Sequence, residues 1–245
     1  MNVPNGEAIF LTLHSIRDPE HGFLWPPRVQ VAGVSTLAEA EFCHSVGVDA
    51  LGFTLELPSG IHDGLTRERA AHIVRKMPRG LLPVVITYLP RGTEASELAE
   101  QVKARAVQFH GGISEHELLL FRDTCPHVRT IGRVTVSGEA SIEEARTFSP
   151  PLWDAIILDS RDVLTGRIGA TGLTHDWSIS ARIVRAASVP VILAGGLSPY
   201  NVATAIRMVQ PAGVDAHTGL EEPDGRRSFA KIGEFARAAL AAFDA

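Results

Sequence analysis

Short apolar runs rich in β-branched residues recur along this chain, each followed by a segment with helical spacing, and that alternation limits the fold more than any other feature. The candidate strands are RVQVAG (28–33), DALGFTL (49–55), LPVVITYL (82–89), AVQFH (106–110), VRTIGRV (128–134), DAIILDS (154–160), PVILAGG (190–196) and AGVDAH (212–217). Several are continuously apolar, as parallel strands covered on both faces must be. Between them, TLAE (36–39), SEHE (114–117) and SIEE (141–144) each fit a capping box, and Ser198-Pro199 reads as an N-cap followed by proline at the first helical position. Ala70, Ile73, Val74 and Met77 keep helical spacing, as do Val202, Ala205, Ile206 and Val209.

Eight strand–helix units predict a closed (β/α)8 TIM barrel, an α/β single domain over residues 28–245, with residues 1–27 as an N-terminal extension. The chain length of 245 suits such a barrel. A net charge of −5 predicts no general attraction to nucleic acid or to an anionic membrane, so an anionic ligand needs local donors. Two cysteines, Cys43 and Cys125, read as free thiols in a reducing cytoplasm. The start, MNVPNGEAIFLTLHS, lacks a basic n-region, and no stretch approaches the roughly 18 apolar residues of a membrane span.

Ligands of such barrels bind at the C-terminal ends of the strands. That rule selects Ala32, Glu56, His62, Asp63, Tyr88, His110, Arg133, Asp159, Gly195, Gly196, Asp215, His217 and Thr218. Glycine-containing stretches follow the last three strands: GATG (169–172), AGG (194–196) and HTG (217–219). Glycine lets backbone N–H groups approach an anion closely, and loops seven and eight are the usual phosphate site of this architecture. A small phosphorylated metabolite is the expected partner.

Asp159 closes an apolar strand, where a carboxylate facing the mouth suits acid or base work; a helix cap or ion pair is the structural alternative. Asp215 suits either a sugar hydroxyl or a structural role. His110 is a buried hydrogen-bonding histidine or a catalytic one. No tight pair of helical histidines accompanies His62, Asp63, His110 and His217, so no metal or other cofactor is expected.

From about Arg28 to the C-terminus, the strand ends resemble the phosphoribosylanthranilate isomerases of tryptophan biosynthesis. The resemblance rests on VGVDALGF (46–53), AVQFHG (106–111), ILDS (157–160), GATGLTHDW (169–177), PVILAGGLSPYNV (190–202) and GVDAHTGLE (213–221). It implies an Amadori rearrangement of phosphoribosylanthranilate to the carboxyphenylamino deoxyribulose phosphate. Asp159 would be the general acid, and Gly172, Gly195, Gly196, Thr218 and Gly219 would hold the phosphate.

Three positions depart from the family pattern. The family's basic cysteine in strand one is Ala32 here, and the S-P-R-Y loop whose arginine holds the anthranilate carboxylate is replaced by SGIHDGLT (59–66). The lysine of strand five is replaced by Gly132-Arg133. The resemblance without its base implies poor or absent turnover of phosphoribosylanthranilate, an isomerase acting on that substrate or a related phosphosugar, and His62, Asp63 or His217 as a replacement base. A retro-aldol, lyase or epimerase step on another phosphorylated ligand, using Asp159 and His217, is the second expectation, and a non-catalytic phosphate binder the third. Retention of Asp159 and Asp215 weighs against the third, because a phosphate binder needs neither.

Overall fold

A computed structural model describes residues 15–57, 65–160 and 174–245. Eight parallel strands close a barrel. In chain order they are β1 (Val29–Ala32), β2 (Ala50–Leu55), β3 (Leu82–Thr87), β4 (Ala106–Phe109), β5 (Arg129–Thr135), β6 (Ala155–Asp159), β7 (Val191–Leu193) and β8 (Gly213–Ala216). Each pairs with the next, and β8 returns to β1 with Asp215 opposite Gln30. The helices between and after them are α1 (Leu37–Ser45), α2 (Arg67–Lys76), α3 (Gly92–Val102), α4 (Glu115–Thr124), α5 (Ala140–Arg146), α6 (Trp177–Ala186), α7 (Val202–Val209) and α8 (Phe229–Phe243). Among the described residues, no helix is long and apolar enough to cross a membrane.

The pleat sorts each strand into two cores. Val29, Val31, Leu51, Phe53, Ile156 and Leu158 face outward and pack with helical side chains such as Ile73, Phe121 and Phe235. Ala32, Leu82, Val84, Ile131, Ile157 and Ile192 face inward and fill the barrel. Because both faces are buried, the strands read as uninterrupted apolar runs.

The inner core is closed below by residues that precede β1. Strands Ile16–Arg17 and Leu24–Trp25 pair as an antiparallel hairpin. Phe23 and Trp25 pack with the inward cluster. His21 meets Arg105 just before β4, and the Arg129 guanidinium lies 5.6 Å from the Trp25 ring centre at the start of β5. These contacts place the hairpin at the strand N-termini, opposite the mouth.

Thr36 forms the full capping box: its Oγ1 accepts from the Glu39 N–H at 3.2 Å, and Glu39 Oε2 accepts from the Thr36 N–H at 3.0 Å. The other helix starts need correction. Ser114 does cap α4, but Glu117 turns away to accept from the Gly92 N–H at 2.8 Å, joining α4 to α3. Ser141 lies inside α5, its hydroxyl donating to the Thr135 carbonyl at 3.0 Å. Helix α7 begins at Val202 with Asn201 as its N-cap, rather than at Pro199. Asn201 instead braces the preceding loop, accepting from the Ser198 N–H at 2.8 Å and donating to the Gly196 carbonyl at 3.0 Å.

Candidate active site

The strand C-termini gather a set of charged groups that the apolar strands hold at fixed heights. Asp159 ends β6 facing inward and is buried, with Oδ1 accepting from the Ser160 N–H at 2.8 Å. Burial pushes its carboxyl above the usual range, while the Ser160 N–H and the Arg133 charge favour the ionised form. Arg133 projects from β5 into the same mouth. Its Nη1 donates to Thr135 Oγ1 at 2.9 Å, and its Nε has no hydrogen-bond partner among the described residues.

Two strands away, Asp215 faces the interior from β8 and is 7% exposed. Its Oδ1 is buried and has no hydrogen-bond partner among the described residues. Burial is the main force on this group and pushes it up to about 7. The Asp159 charge acts in the same direction, against the Gln30 amide, the Arg227 charge and the Ala216 N–H.

A polar line crosses the barrel below the mouth. Gln30 of β1 donates to Gln108 Oε1 on β4, and the Gln108 amide in turn reaches His110 Nε2. That contact leaves the His110 proton on Nδ1. Burial, with the Arg133 charge second, holds this imidazole neutral, down to about 3. Its ring lies 5.7 Å from that of Tyr88.

The loops after β7 and β8 lie against each other. Gly195 and Gly196 have φ of +81° and +65°, a region that favours glycine, and a Cβ on Gly195 would overlap Ser160 Oγ. The short 3-10 turn Thr218–Leu220 packs so close that a Cβ on Gly219 would overlap the Leu197 carbonyl. His217 belongs to a separate cluster. Its Nε2 lies 3.5 Å from Glu221 Oε1, and Arg227 reaches the same carboxylate at 3.4 Å. Arg227 also donates to the carbonyls of His217 and Gly33, and a Cβ on Gly33 would overlap both side chains.

The mouth thus holds Asp159, Asp215, His110, His217, Gly195, Gly196, Thr218 and Gly219 on the strand ends expected of them. His62, Asp63 and Gly172 lie outside the described residues. Glu56 pairs through Oε1 with the Arg67 guanidinium at the start of α2. Sequence reasoning passed over His175, whose Nδ1 lies 3.0 Å from Ser160 Oγ, beside the acid. Burial holds that imidazole down to about 4. It also passed over Gln30 and Gln108, although a glutamine at an inward position of an apolar strand is itself a signal.

Comparison with known proteins gives the family and the same fold. Residues 32–238 match the family model described as N-(5'-phosphoribosyl)anthranilate (PRA) isomerase. The N-(5'-phosphoribosyl)anthranilate isomerase 2 of Methanosarcina mazei is 36% identical over 208 residues, covering 85% of this chain and 92% of that protein. The crystal structure of phosphoribosyl anthranilate isomerase from Thermotoga maritima superposes with a TM-score of 0.72 at 29% identity, covering 87% of this chain and 98% of that one. A structure of such an isomerase in complex with reduced 1-(o-carboxyphenylamino)-1-deoxyribulose 5-phosphate has a TM-score of 0.70 at 28% identity, with the same coverage of 87% and 98%.

Proposed function

The chain belongs to the N-(5'-phosphoribosyl)anthranilate isomerase family, an isomerase of the tryptophan pathway, and from that premise we propose that Asp159 starts an Amadori rearrangement of N-(5'-phosphoribosyl)anthranilate. The observation that carries this reading is Asp159 itself: a buried carboxyl at the end of β6, held protonated more readily than usual. A group of that kind is suited to give a proton to the ribose ring oxygen, opening the ring as the nitrogen lone pair forms the C1=N bond. Its neighbours support the reading. The paired loops after β7 and β8, with glycine at 195, 196 and 219, suit backbone contacts to the 5'-phosphate. The structure of a related isomerase in complex with reduced 1-(o-carboxyphenylamino)-1-deoxyribulose 5-phosphate supports a phosphorylated ligand of this class.

A second reading keeps the reaction and changes the amine. The rewritten loop SGIHDGLT (59–66), which carries no arginine, favours a phosphoribosylamine without the anthranilate carboxylate. One assay separates the two: purified protein is given phosphoribosylanthranilate and the loss of anthranilate-type fluorescence is followed. Turnover supports the first reading. No turnover, with turnover of a carboxylate-free analogue, supports the second, and inertness toward both sinks the proposal.

A further inference from the structure

The rearrangement proposed above needs a second group, one that takes the proton from C2 once the ring has opened. Ala32, at the inward end of β1, carries no such group. The barrel places β8 directly beside β1, and Asp215 is its inward polar side chain, in register with Gln30 two residues below Ala32. Val214 and Ala216, its neighbours in sequence, face the outer core, so the pleat turns the Asp215 carboxyl into the barrel.

Asp215 differs from a structural carboxylate in one respect. Asp49 and Asp154, both partly buried, use their carboxylates to hold backbone N–H groups of neighbouring strands at 2.9–3.0 Å. Asp215 leaves Oδ1 buried and without a hydrogen-bond partner among the described residues. A buried acceptor left unpaired destabilises a fold, so it points to a use outside the fold. His217 is less suited to the task, because its ring is drawn to Glu221 and packed over Gly33.

We propose that Asp215 is the general base of this isomerase, taking over at β8 the proton abstraction that residue 32 cannot perform. The assignment rests on the reaction proposed above. The Asp215 carboxylate takes the C2 proton; the C2–H electron pair becomes the C1=C2 bond, and the C1=N pair returns to nitrogen. The enolamine then gains a proton at C1 and loses the C2 hydroxyl proton, which restores both carboxyl groups and leaves a redox-neutral isomerisation. A base works best with its pKa near the operating pH, and burial brings Asp215 to about 7.

The test measures turnover of phosphoribosylanthranilate by the parent protein, by Asp215→Asn, and by Asp215→Asn combined with Ala32→Cys. The expected result is a loss of about 10²–10⁴-fold in kcat for Asp215→Asn, with KM changed by less than about threefold. Recovery of at least about tenfold is expected for the double variant near pH 8.5, where a thiol is about half ionised. Added formate provides a second route to recovery, in Asp215→Ala, where loss of the buried carboxyl leaves room for it, if cysteine at 32 perturbs the fold. An inactive parent protein defeats the substrate reading and this assignment with it. An active parent whose Asp215→Asn variant keeps its kcat, or loses it without recovery by either route, defeats the assignment alone.

Discussion

Gln30 and Gln108 meet inside the barrel, the Nε2 of one lying 3.2 Å from the Oε1 of the other, from strands three places apart in the closed sheet. The contact is buried at both ends and continues to His110. Replacing Gln108 by leucine strands the Gln30 amide and the His110 ring nitrogen together. Chemical denaturation should show a loss of about 1–3 kcal/mol, the cost of leaving a buried polar partner unpaired. A variant as stable as the parent would mean that water or a rotated amide replaces the lost contact.

Asp159→Asn removes a dissociable proton while keeping shape and the Ser160 contact. The expected loss in kcat is about 10²–10⁴-fold, with the product analogue still raising the melting temperature by a similar amount. Full activity in this variant would remove Asp159 from the chemistry.

Asp215 makes stability depend on pH in a stated direction. Its folded pKa, about 7, lies above the ordinary value of 3.8. Between those values the folded chain keeps a proton that the unfolded chain releases, so this group makes stability fall as pH rises through that window. Asn at 215 has no such dependence. Asp215→Asn should therefore be more stable than the parent at pH 8, by about 2–4 kcal/mol, with the gap closing toward pH 4. Denaturation midpoints across that range decide it, and a gap that widens on acidification refutes the sign.

Cys43 and Cys125 are both buried free thiols, and burial pushes Cys43 up to about 12. Neither should react with a disulfide reagent in the folded protein at pH 8, and two thiols should appear on denaturation. Rapid labelling of the native chain would contradict the packing of α1.

Gly195→Val places a branched side chain at φ +81° and against Ser160. The strain falls on the loop after β7, so affinity for a phosphorylated ligand should drop by more than tenfold, at a stability cost of about 1–3 kcal/mol. Unchanged affinity in a titration would move the phosphate to another part of the rim.

The barrel strands were readable because burial on both faces writes them as unbroken apolar runs, as in AIIL before Asp159. Helix starts were less readable. Ser141 and Ser198 look like caps, but their groups are drawn into loop bonds that only the folded backbone brings near. The acid and the glycine loops sit on strand ends and could be placed by counting strands. The Ser160–His175 contact could not, since its partners are separated by a whole loop. Arg227 was hidden for a similar reason: it returns to the mouth from a turn ten residues beyond His217.

The hairpin beneath the barrel also bears on the order in which the chain assembles. Phe23 and Trp25 are synthesised before any barrel strand, yet the inner cluster that receives them draws on residues as late as Ile192 and Ala194. During synthesis, the stopper leaves the ribosome long before the vessel it closes. Two aromatic side chains therefore gain their full set of neighbours only once the last strands have been made.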